Sequence, residues 1–130
     1  MTFLRRTLIA ATTAALRQLA DELSPDDAVS LASDFLSDVD DQVHAVRSAI
    51  SLGNADEARR LAHSLKGTAS IFALRELQST ANAIEQFCRE GQVSEAAAME
   101  PELLQATAAA ASHLRAALAT ISPTVIEPMS

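Results

Sequence analysis

Residues 24–54 read SPDDAVSLASDFLSDVDDQVHAVRSAISLGN. This stretch contains a complete helix with its own start and stop signals. Ser24 is placed to cap the first turn, Pro25 takes the first helical position with its φ already set, and Asp26 and Asp27 bring negative charge to the positive end of the helix dipole. Val29, Ala32, Leu36, Val39, Val43, Val46 and Ile50 then follow at steps of three and four, one apolar stripe over about six turns. Gly53 supplies the residue that ends such a helix. Asn54, with Glu57 three residues on, forms the capping box of the next one.

The same punctuation extends in both directions. Ala58, Leu61, Ala62, Leu65, Ala69 and Phe72 share one face of a third helix. The chain is expected to turn near Ala73, although no glycine or proline marks the place. Leu74, Leu77, Ala81, Ile84 and Cys88 give a fourth stripe, stopped by Gly91. Ser94 caps a fifth helix carrying Met99, Leu103, Ala110, Leu114, Ala117 and Ile121, which Pro101 must kink or restart. On the amino-terminal side, Leu4, Leu8, Ala11, Ala15 and Leu19 recur at helical spacing and continue to Leu23. Arg5 and Arg6 ahead of Thr7–Ala11 superficially look like a secretion signal. Thr12, Thr13 and Arg17 interrupt the apolar run, and the helical pattern passes any cleavage point, so an amphipathic first helix is expected. No stretch reaches transmembrane length, and no membrane insertion is expected.

The expected architecture is all-α. Short connections make successive helices antiparallel neighbours, so residues 24–122 form an up-down four-helix bundle and residues 1–23 an accessory helix over its end or side. Residues 1–122 then make one domain, and Pro123 and Pro128 place residues 123–130 in a tail or linker. Composition agrees: 27 of 130 residues are alanine, with three glycines, four prolines and no Tyr or Trp, which favours helices over sheets. Seventeen acidic against ten basic residues give a net charge of −7, which argues against a nucleic-acid partner. The single cysteine, Cys88, cannot form an internal disulfide and suits a reducing cytoplasm.

One position interrupts this pattern with chemistry. On helical geometry His63 lies roughly 150° from the centre of the third helix's apolar stripe and faces outward. Arg59, Lys66, Gly67 and Ser70 share its face. Nine of the ten basic residues are arginines, and Lys66 is the only lysine. Gly67 costs a helix about 1 kcal/mol relative to alanine, in a chain that otherwise uses alanine freely. The simplest reason is access: an absent side chain one turn beyond His63 leaves room for another molecule. His44, among acids, and His113, among alanines, have no such neighbourhood and are expected to be structural or solvated.

Ala62-His63-Ser64-Leu65-Lys66-Gly67-Thr68-Ala69 resembles the signature of histidine phosphotransfer (HPt) domains, a His-x-x-Lys-Gly core followed by small residues. The resemblance runs from about Ala28 to Leu118. It implies that His63 carries a phosphoryl group, that Lys66 offsets its charge and that Gly67 gives access. Phe72, Leu77, Gln78 and Glu85 are similar to the amino-terminal phosphotransfer domains of chemotaxis-type histidine kinases, where a glutamate on the next helix bonds the other imidazole nitrogen; here that position is Glu85. The family often has glycine where this chain has Ser70 and Ala73.

The resemblance implies a phosphocarrier in a two-component phosphorelay rather than an independent enzyme. His63 would attack through Nε2, with Lys66 as a mobile point charge and Arg59 assisting. There is no glycine-rich phosphate loop and no acidic cluster placed to hold Mg²⁺ at the histidine, so no cofactor or metal is expected on this chain. A response-regulator receiver domain would supply the aspartate and Mg²⁺, and an ATP-dependent histidine kinase catalytic domain the phosphate. The docking surface would include Arg59, Ser64 and Ser70. The phosphotransfer domain of a chemotaxis-type or hybrid histidine kinase is expected, with a free-standing relay protein as an alternative. A non-catalytic dimerisation bundle is an alternative. A carboxylate-bridged metalloenzyme is disfavoured, because neither His63 nor His113 follows a glutamate at the required spacing.

Overall fold

The computed structural model describes residues 2–121 of the chain. Six helices follow one another: α1 (Thr2–Glu22), α2 (Pro25–Ser51), α3 (Ala55–Ile71), α4 (Arg75–Arg89), α5 (Val93–Ala98) and α6 (Glu100–Ile121). No strand occurs among the described residues. The expected tail, residues 123–130, lies outside them, as does the proposed boundary at residue 122. No helix among the described residues is long and apolar enough to cross a membrane.

The start of α2 matches its sequence signals. Ser24 Oγ accepts the Asp27 N–H at 3.0 Å, and Pro25 opens the helix. Three later turns share one geometry, in which a left-handed residue folds the chain back. The next N–H then reaches a carbonyl five residues earlier: Asn54 to Ala49, Leu74 to Ala69, and Gln92 to Phe87. This is the Schellman closure of a helix end. Gly53 (φ +72°) and Gly91 (φ +74°) occupy the left-handed position in two of them, and Ala73 (φ +53°) in the third. The expected turn near Ala73 is therefore present, with its glycine position filled by alanine.

These closures correct two expectations. At the start of α3, Asn54 Oδ1 accepts the Glu57 N–H at 3.2 Å, half of the capping box. The reciprocal bond is absent because the Asn54 N–H is already committed to Ala49, and the Glu57 carboxylate bonds Arg60 instead. Ser94 does not cap the fifth helix. The turn at Gly91 makes Gln92 the N-cap of α5, leaving Ser94 inside the helix. The expected single fifth helix is two: α5 ends at Ala98 with Met99 as its C-cap, and Pro101 sits in the first turn of α6, where its missing N–H has no helical partner to lose.

Helices α2, α3, α4 and α6 form the antiparallel bundle around a core that includes Phe35, Val43, Leu65, Leu77, Ile84 and Leu114. The rings of Phe35 and Phe72 meet at 5.6 Å between centroids. With 27 residues against 17 in α3, α2 overreaches the α3–α4 hairpin. Helix α1 packs against α2 and α6, and Arg5 Nη2 donates to Ser112 Oγ at 3.1 Å. The accessory helix is thus present, but its buried face is rotated from the expected stripe. Thr12, Thr13 and Leu16 lie deepest, while Leu4 and Leu23 are exposed. The small threonines let α1 approach α2 and α6 closely, and that contact decides the face.

Candidate functional site

The site is built on the α3–α4 pair. Ala58, Ala62 and Ala69 on α3 and Ala81 on α4 are all buried, and such small side chains let two helix backbones come close. Turned one residue away from the buried Ala62, the His63 side chain is 65% exposed. Opposite it stands Glu85, beside Ile84 at the edge of the α4 core stripe and only 1% exposed.

A buried carboxylate needs partners, and Glu85 has three. His63 Nδ1 lies 2.9 Å from Oε2, Arg89 Nη2 donates to the same oxygen at 2.9 Å, and Lys66 Nζ pairs with Oε1 at 2.6 Å. Lys66 also donates to Asn82 Oδ1 at 3.3 Å. Burial alone would push the Glu85 carboxyl up, but hydrogen bonds and charge from Lys66 and His63 outweigh it and hold the group below the usual carboxylate range. An ionised carboxylate only accepts. The proton shared with His63 therefore sits on Nδ1, which leaves the lone pair of the neutral ring on Nε2, on the far side of the ring from Glu85.

The structure brings together His63, Lys66 and Glu85. Gly67 is exposed one turn further along, and a Cβ built there would meet nothing within 4 Å. No internal packing requires a glycine. Arg59, Ser64 and Ser70 lie around the rim. Arg59 is half-buried and makes no ion pair with Glu85, Ser64 is exposed, and Ser70 turns its hydroxyl back to the Gly67 carbonyl at 2.7 Å. The Lys66 ammonium rests on the buried carboxylate across the helix pair. Lys66, Gly67, Ser70, Arg75, Gln78 and Asn82 line an open polar groove beside the histidine. Among the described residues, no group of three His, Cys, Asp or Glu side chains could hold a metal ion.

Two participants escaped the sequence reading, Arg89 and Asn82. Arg89 carried a usable signal, since Glu85 and Arg89 have the i,i+4 spacing that pairs charges on a helix. The other histidines lie elsewhere. His44 is exposed, near Ser48 Oγ at 3.5 Å. His113 is half-buried on α6, its pKa lowered by burial and by Arg5 against the opposing charge of Glu76.

An outward histidine tied through Nδ1 to a buried carboxylate on the next helix of an antiparallel bundle defines a helical domain of the phosphotransfer type. The family model of the Hpt domain matches residues 30–122, and the chain belongs to that family. It has a phosphotransfer role in two-component signalling. No curated protein and no solved structure matches the chain.

Proposed function

We propose that His63 carries the phosphoryl group on Nε2 and passes it to an aspartate of a response-regulator receiver domain. The observation that carries this reading is the pairing of His63 Nδ1 with the buried Glu85, which presents Nε2 as the free nucleophilic nitrogen. In loading, the Nε2 lone pair attacks phosphorus. The bond from phosphorus to the donor oxygen breaks, and its electron pair leaves with that oxygen. The ring keeps its Nδ1 proton and gains positive charge, which Glu85 offsets. In unloading, an aspartate oxygen of the receiver attacks phosphorus, and the N–P bonding pair returns to Nε2.

Lys66 stands at i+3 from the histidine and offsets phosphoryl charge. Gly67 leaves the approach open, and Arg59, Ser64 and Ser70 form the rim on which the receiver docks. The receiver brings the Mg²⁺, and an ATP-dependent histidine kinase catalytic domain supplies the phosphoryl group, so this chain works as a carrier without a cofactor of its own. The glutamate on the helix after the histidine favours the chemotaxis type of kinase over a free-standing relay protein. An ATP-fed relay with one buried, unpaired cysteine belongs in the cytoplasm.

Incubation with a cognate phosphodonor is expected to place an acid-labile, base-stable phosphate on the chain, and His63→Gln to abolish it. Equal labelling of the variant would overturn the assignment. Lys66→Ala is expected to slow transfer about tenfold, the scale of one charge-assisted hydrogen bond, with an unchanged helical circular dichroism spectrum.

A further inference from the structure

Lys66 is asked to do two things. In the resting site its ammonium neutralises Oε1 of Glu85 at 2.6 Å, yet a phosphoryl group on His63 needs the same ammonium. If Lys66 turns outward, a carboxylate that is 1% exposed loses a cation that water cannot replace. Such a group then takes up a proton or draws the lysine back. A protonated Glu85 would no longer hold the charge of the phosphorylated ring, and a recaptured Lys66 would leave the phosphoryl group uncompensated.

Arg89 resolves the conflict. It approaches Glu85 from the α4 side at 2.9 Å, on Oε2, so it neither occupies the oxygen that Lys66 uses nor lies on the helix that carries the histidine. Its side chain is 51% exposed, and its stem runs one turn along α4 from the carboxylate. The charged and titratable groups paired with Glu85 are His63 and Lys66 from α3 and Arg89 from α4; no other such pair is formed among the described residues. We propose that Arg89 is a positioning residue, the standing counter-ion that keeps Glu85 ionised and aimed at His63 while Lys66 moves to the phosphoryl group. This role rests on the phosphocarrier reading of His63. An ordinary i,i+4 pair in the last turn of a helix would contribute only to stability, so the test must read the chemistry.

The full chain and its Arg89→Gln and Arg89→Lys variants are loaded with phosphoramidate at pH 6 and pH 8, followed by ³¹P NMR, with His63→Gln as control. Loading of Arg89→Gln is expected to be about tenfold slower than wild type at pH 6, the scale of one charge-assisted hydrogen bond. The same slowing is expected at pH 8, because both pH values lie above the lowered pKa of Glu85. Arg89→Lys is expected to load at close to the wild-type rate. Wild-type rates for Arg89→Gln at both pH values, or no rescue by lysine, would each overturn the role of Arg89 while leaving His63 as the carrier. If His63→Gln loads as well as wild type, the carrier reading itself falls, and the role of Arg89 falls with it.

Discussion

Nδ1 of His63 and Oε2 of Glu85 lie 2.9 Å apart across two helices, the histidine side chain 65% exposed and the glutamate 1%. The exposed member can meet a partner, while the buried one is fixed by packing and by two further cations. Glu85→Ala should therefore impair chemistry more than fold. Loading of His63 is expected to fall roughly tenfold to a hundredfold, because the ring loses both its tautomer control and its counter-charge. Glu85→Gln keeps an acceptor for Nδ1–H without the charge and should fall between. Loading rates of the two variants, measured beside their circular dichroism spectra, check this. Equal rates for wild type and Glu85→Ala would remove Glu85 from the mechanism.

The same carboxylate makes stability depend on acid. Its folded pKa lies below the ordinary value of 4.5 because Lys66 and His63 outweigh the burial that opposes the charge. Between the folded and unfolded values the unfolded chain binds more protons, so stability rises with pH there. The contribution of Glu85 is complete above about pH 4.5 and is lost as pH falls through the lower folded value. Urea midpoints of wild type and Glu85→Gln are expected to differ at pH 6 and converge toward pH 3. Glu57, half-buried and also lowered by its bond to Arg60, is common to both proteins and drops out of the comparison. A pH-independent difference would mean that the Glu85 cluster is not held by ionic bonds.

Most of the fold was legible because the chain states it locally. Ser24-Pro25 and Gly53-Asn54 mark helix ends through groups that bond within a few residues, and every member of the α4 stripe from Leu74 to Cys88 is buried as its spacing implies. What escaped depends on neighbours distant in sequence. The buried face of α1 is decided by contact with α2 and α6, which its own sequence does not encode. Lys66 was legible as a charge beside His63 on its own helix, and only the approach of α4 pairs it with Glu85. Glu85 itself became a candidate through family resemblance, because periodicity gives no reason to bury an acid next to Ile84.

Ala73 is the turn that no glycine marked. It holds φ +53° at the position where Gly53 and Gly91 serve the two sister turns, and a Cβ is strained there. Ala73→Gly is expected to stabilise the chain by about 1 kcal/mol, since relief of strain exceeds the added freedom of the unfolded chain. The readout is the urea midpoint at unchanged slope. A lower midpoint would show that contacts of the Ala73 methyl, half-buried in the turn, outweigh the strain.

Gly67 separates access from packing. No atom lies within 4 Å of a Cβ built at this position, so larger residues meet no clash inside the domain. Gly67→Ala is expected to stabilise the helix by about 1 kcal/mol and to transfer nearly as well as wild type. Gly67→Leu should be stabilised comparably, yet its branched side chain would stand one turn from His63 in the path of a docking protein. Loading by a donor as small as phosphoramidate should then proceed at the wild-type rate, while transfer to a receiver domain falls about tenfold or more, the cost of an overpacked contact at an interface. Normal transfer to the receiver by a well-folded Gly67→Leu would show that the partner approaches His63 from another side.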